Sequence, residues 1–141
     1  MKLLKVARPI IILCAMSFGF KALAETHRAS PWDVSAVRSG LIEAGTAYAI
    51  TENCPRASVR MIRGFMFLYD INQMAKEAGF SRSEVDDFIE NKENKANLEA
   101  IVWDRLASQG ATEFDEASVC DAAMSEVSMG SAASSLFSMK N

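Results

Sequence analysis

Between Pro31 and Met129 the apolar residues recur at spacings of three and four, the period of helices that bury one face. In "SPWDVSAVRSGLIEAGTAYAITEN", Ser30 is placed to cap, Pro31 fits the first helical position, and Asp33 stands three residues after the cap. Val34, Val37, Leu41, Ala44 and Tyr48 then form one apolar stripe. Gly40 and Gly45 each weaken this helix by ~1 kcal/mol relative to alanine, which predicts a neighbour packed close against them. Pro55 disfavours helical geometry at Cys54 and ends the helix near Asn53.

A second helix is predicted from Pro55 to Ala78, with Gly79 as its left-handed stop. Around it, Arg56, Arg60, Arg63, Asp70, Gln73 and Glu77 make a narrow polar wedge. Met61, Ile62, Phe65, Met66, Leu68, Tyr69, Ile71 and Ala75 fill most of the remaining circumference. A helix apolar over so wide an arc is expected to be surrounded by others, which assigns it the centre of the fold.

Ser81 and Glu84 make a capping box that opens a third helix, running from Arg82 to about Gln109 with Gly110 as its stop. Its stripe is Val85, Ile89, Lys92, Ala96, Glu99, Trp103 and Leu106, although "NKENK" offers nothing apolar to pin residues 90–95 and permits a break there. The last helix spans Asp115 to Met129 and ends at Gly130. Residues 131–141 are small and polar and read as a mobile tail, with Leu136 and Phe137 able to dock. No strand-like alternation is visible. The expected fold is all-α, a small bundle of four or five helices over residues 31–130.

The first residues change the picture of where the chain resides. Lys2, Lys5 and Arg8 precede an apolar run from Pro9 to Phe20, and Ala22-Leu23-Ala24 has the small-x-small pattern of a signal-peptidase site. The run is shorter than the ~20 residues of a spanning helix. Residues 1–24 are therefore expected to be a cleaved signal peptide, residues 25–30 a flexible lead, and the location periplasmic or secreted. Cys14 is a poor lipoprotein acceptor, because Leu13 before it is too large for that processing. The segment takes four of the 15 basic residues and none of the 18 acidic ones, so the mature chain is more acidic than the formal −3 of the whole. That disfavours nucleic acid, whose phosphates recruit Lys and Arg. No membrane insertion is expected after cleavage.

Two cysteines, Cys54 and Cys120, remain. In an oxidising compartment an even pair favours a disulfide. Metal binding or thiol catalysis is the weaker reading, since the single histidine, His27, lies in the lead. No metal and no cofactor are expected, and no catalytic constellation is recognisable. The six methionines beyond the signal are irregularly spaced and read as core filling rather than copper ligands.

Three groups remain as candidate sites. Arg56, Arg60 and Arg63 share one face near a helix start and suit a carboxylate or phosphate, or a solvated surface. Phe67, inside the same wedge, suits either an interface anchor or a side chain covered by the C-terminal tail. Lys92 and Glu99 fall on the apolar stripe of the third helix and mark either a polar break in the core or a snorkelling edge.

The segments "NCPRASVRMIRGFMFL", "AGFSRSEVDDFIENKENK" and "VCDAAMSEVSMGSAASSLF" resemble a family of small exported proteins of Rhodobacter- and Roseobacter-type alphaproteobacteria, a domain of unknown function. The resemblance rests on Cys54-Pro55, Gly79-Phe80-Ser81 with Glu84, and Cys120 ahead of Gly130-Ser131. It implies export, the cysteine pair and helices, and no activity, ligand or catalytic residue. The leading functional expectation is a non-catalytic binding or accessory protein of the cell envelope with a protein partner. A periplasmic inhibitor or immunity-type protein and a small-anion carrier are the alternatives.

Overall fold

The computed structural model describes residues 30–140. The signal-peptide pattern, Cys14, His27 and most of the lead lie outside the described residues. Ser30 caps in both directions: its hydroxyl accepts from the Trp32 N–H at 3.2 Å, and its own N–H donates to Asp33 Oδ2 at 2.8 Å. A 3-10 turn, Pro31–Asp33, leads into α1, Ser35–Asn53. Helices α2 (Met61–Glu77), α3 (Arg82–Glu90), α4 (Lys92–Ser108) and α5 (Glu116–Met129) follow. Over the described residues the fold is an all-α bundle of five α-helices.

The centre belongs to α1, not to α2. Helix α1 packs against α2, α4, α5 and the C-terminal segment, and its glycines show how. A Cβ on Gly40 would stand 2.6 Å from Ile71 Cγ1 of α2, and one on Gly45 would stand 2.9 Å from Val102 Cγ2 of α4. The two glycines are five residues apart, about 140° around the helix, so α2 and α4 flank α1 on different sides. Small residues thus let two helices approach one axis. Helix α2 buries only Ile71 and Ala75 fully. The expectation that α2 is central is corrected: apolar width does not say which part of the arc meets the chain.

Helix α2 also begins six residues later than expected. The Ala57 N–H donates to the Cys54 carbonyl at 2.9 Å, closing a turn over Pro55 and Arg56. Strand β1, Ala57–Val59, then pairs antiparallel with β2, Phe137–Met139, in the register Ala57 to Met139 and Val59 to Phe137. The pairing is extended by Arg60 N–H to the Leu136 carbonyl and Lys140 N–H to the Arg56 carbonyl, both 2.8 Å. Residues 131–140, expected as a tail, are therefore packed. A 3-10 turn, Ala133–Leu136, seats Leu136, and Phe137 is buried beside it.

The single helix expected over 82–109 is two. Asn91 is extended and caps α4, its Oδ1 accepting from Glu93 and Asn94 N–H at 3.0 and 3.1 Å. The break resets the helical phase. Val102 and Leu106 are buried in α4, with Leu98 half-buried one turn earlier, while Lys92 and Glu99 are exposed. They are not a polar break in the core.

Two clusters make that core. One gathers Val37, Leu41, Ile71, Ala75, Phe80 and Val85; the other joins the second half of α1 to α4, α5, Leu136 and Phe137. Phe67 and Leu98 pack against both. Cys54, the residue after α1, is disulfide-bonded to Cys120 in α5, with Cα atoms 5.1 Å apart and a sequence separation of 66.

Candidate functional site

The buried chemistry of the fold is a carboxylate. Glu126 lies on α5 one turn beyond Ala122 and Ala123, is 0 % exposed, and faces the core with them. Arg105 of α4 meets it with a fork: Nε donates to Oε1 at 2.9 Å and Nη2 to Oε2 at 2.7 Å. The same guanidinium donates Nη1 to Glu43 Oε1 at 2.8 Å and Nη2 to Glu43 Oε2 at 3.3 Å. Gln109 Nε2 donates to Glu126 Oε1 at 2.6 Å, and the Ala133 N–H donates to Glu43 Oε2 at 2.7 Å.

Burial favours the neutral acid at Glu126. Hydrogen bonds from Arg105, Ser131 and Gln109 outweigh it and hold the carboxyl below its ordinary range. The Glu126 hydrogen bond is also the main cause that drives Arg105 above its ordinary value, against burial and with help from Glu43. A carboxylate so fully engaged has no lone pair directed at a ligand. The network ties α1, α4, α5 and the C-terminal segment together, and we assign it to architecture.

The residues singled out by sequence are dispersed. Arg56 sits in the turn before β1, Arg60 precedes α2, and Arg63 lies in the first turn of α2. All three are exposed, and strand β1 breaks the helical face they were expected to share. Of the three, Arg63 lines a shallow cavity, with Asp70 beside it. Phe67 is half-buried and joins the two core clusters instead of standing out as an anchor.

An open groove of about 470 Å³ lies between α1, α4 and the α4–α5 loop. Its floor is Ala49 of α1 with Leu98 and Val102 of α4, the latter two brought close to α1 by the missing side chain of Gly45. Tyr48, Trp103 and Phe114 supply aromatic surface along it. Phe114 holds a left-handed backbone, φ 66°, and leaves 85 % of its surface exposed. That is an uncommon conformation for a bulky residue. The charged lining residues are Glu52, Glu99 and Glu113 against Lys95 alone. A concave surface that is apolar below, aromatic at its sides and net negative suits an organic cation: the ring faces attract it and the carboxylates add long-range pull.

Sequence reasoning reached Glu99 but not the groove. The groove exists because the break at Asn91 turns Leu98 and Val102 inward, which leaves Glu99 and Lys95 on the wall. Glu126 was within reach, since Val119, Ala122, Ala123 and Glu126 share one helical stripe.

A second exposed feature is the outward side of α2. Met61, Ile62, Phe65, Met66, Leu68 and Tyr69 are all exposed there, Ile62 by 83 % and Phe65 by 71 %. Among the described residues, no helix is long and apolar enough to cross a membrane.

A family model described as a family of unknown function, DUF5333, matches residues 30–138. Neither the curated proteins nor the solved structures contain a match.

Proposed function

The chain belongs to the DUF5333 family of unknown function, and from that premise we propose that it is an exported, non-catalytic binding protein of the cell envelope. Its ligand group is an organic cation, held in the groove between α1 and α4. The observation that carries this reading is the meeting of Tyr48, Trp103 and Phe114 with Glu52, Glu99 and Glu113 on one groove. Cation–aromatic contacts contribute about 0.5–1 kcal/mol at exposed sites and more where water is excluded. Export is supported by the signal-peptide pattern of residues 1–24 and by the Cys54–Cys120 bond, which persists in oxidising compartments. The resemblance to exported alphaproteobacterial proteins points the same way. Binding rather than catalysis is supported by the fate of the two thiols, which are joined to each other and not available as nucleophiles.

One cationic chemistry can come from a free amine or from a basic side chain of a partner protein. Titration in a Trp32→Phe background, where Trp103 is the remaining tryptophan, distinguishes them. Tetramethylammonium tests the free cation, and a lysine-rich peptide tests the side chain. We expect a saturable change in Trp103 fluorescence with one of the two, weakened severalfold by Phe114→Ala and by the double change Glu99→Gln, Glu113→Gln. A flat titration with both probes into the tens of millimolar would end this reading.

A further inference from the structure

The outward side of α2 is unlike the rest of the surface. Ile62, Phe65, Met66 and Tyr69 recur at the three- and four-residue spacing of a helix seam, with Met61 and Leu68 at its margins. From their exposed fractions these six side chains present on the order of 700 Å² of surface, above the ~300–600 Å² of the largest patch on a typical monomer. It is close to the ~800 Å² that each partner contributes to a standard interface.

Charge along the seam says what covers it. Arg63 and Asp70 are seven residues apart and so lie on one edge of the apolar stripe, drifting only about 20° between them. When a helix pairs with its own copy about a two-fold axis lying across the interface, the two run antiparallel and like edges meet. Centred between Met66 and Phe67, that arrangement sets Arg63 of each chain opposite Asp70 of the other, twice. The same centre places Ile62, Phe65, Met66 and Tyr69 across the seam. A parallel pair would set Arg63 beside the opposite edge, where no acid of α2 waits at its level.

We propose that this face of α2 is an isologous interface with a second copy of this chain, the two α2 helices antiparallel. The interface is independent of the groove, because α2 and α4 flank α1 on different sides. Both grooves stay open in the dimer.

The test uses protein expressed from the full coding sequence and purified oxidised from the compartment it is exported to. Sedimentation equilibrium across the micromolar range should report twice the chain mass. Phe65→Asp should leave a monomer with unchanged helical circular dichroism. Ile62→Asp, more exposed still, should do the same and serves if Phe65→Asp disturbs folding. Arg63→Asp and Asp70→Arg should each weaken the dimer by about tenfold, since each turns two attractive contacts repulsive. The double reversal should bring the affinity back to within a few-fold of the natural chain. A monomer throughout the concentration range overturns the proposal, as does a dimer indifferent to both Ile62→Asp and Phe65→Asp. Failure of the double reversal to restore pairing overturns the antiparallel arrangement.

Discussion

At the scale of single residues, Glu126 decides most. A buried ion pair costs desolvation on both sides, so its net contribution is small while it is whole. Removing Glu126 takes its charge-assisted bonds from Arg105, whose guanidinium keeps Glu43 as a partner, and hydrogen bonds to charged groups contribute about 1.5–3 kcal/mol. Glu126→Gln should therefore lower unfolding stability at pH 7 by about 1.5–3 kcal/mol, nearer the lower figure because Gln keeps part of the hydrogen bonding. The pH dependence has a definite sign. The folded carboxyl lies below its ordinary value of 4.5, so as pH falls the unfolded chain takes up this proton first. The stabilisation is full above about 4.5 and is lost as pH drops through the lower folded value. Urea unfolding at pH 7 and pH 3 should show the gap between natural and variant protein narrow in acid. An equal gap at both would remove Glu126 from the acid response. Much at this scale was legible in sequence. The capping pairs Ser30 with Asp33 and Ser81 with Glu84 are local chemistry and formed as read. Arg105 and Glu43 were not legible, because 62 residues separate them and nothing local couples them.

At the scale of elements, the small residues of α1 set the arrangement. Gly40→Ala gains helix propensity of up to ~1 kcal/mol. It also forces a methyl against Ile71 Cγ1 and Cδ1, both nearer than 3 Å, and overpacking of that kind costs about 1–3 kcal/mol. We expect Gly40→Ala to destabilise in chemical denaturation. Ile71→Ala should cost about 2–5 kcal/mol on its own for the cavity it leaves. Combined, the two should cost less than their sum, because the new methyl occupies space that Ile71 vacates. Additive effects would mean that α1 and α2 do not meet at this point. The wide apolar arc of α2 misled sequence reading for a physical reason. Hydrophobicity records every surface that water leaves, and it does not separate contact within the chain from contact with another copy. The break at Asn91 shows the converse. Its side-chain cap on Glu93 and Asn94 is local, yet a continuous apolar stripe across it fitted the sequence equally well, and only packing of Leu98 and Val102 against α1 chooses.

At the scale of the molecule, two long-range ties close the bundle: the Cys54–Cys120 bond and the pairing of residues 137–139 with residues 57–59. The disulfide closes a loop of 66 residues, which in the chain-entropy picture stabilises by on the order of 4 kcal/mol. Its pairing was readable because only two cysteines, Cys54 and Cys120, follow residue 24. The C-terminal segment was read as a tail because "SAASSLF" is mostly small and polar. Its two large apolar groups, however, sit where the gap between α1 and α5 needs filling, and the strand pairing with residues 57–59 satisfies its backbone. Burial of Leu136 and Phe137 contributes about 1.5–3 kcal/mol each. Deleting residues 131–141 also strips Glu43 of the Ala133 N–H and Glu126 of Ser131. Set against a net stability of ~5–15 kcal/mol for such a domain, either loss alone is tolerable and both together are not. Thermal unfolding by circular dichroism should therefore give a lower midpoint for the truncated oxidised chain and for the reduced full-length chain. The truncated reduced chain should be largely unfolded at 25 °C. A truncated chain that melts at the natural midpoint would show that residues 131–140 rest on the bundle without stabilising it, and the polar network would then have to hold Glu43 by Arg105 alone.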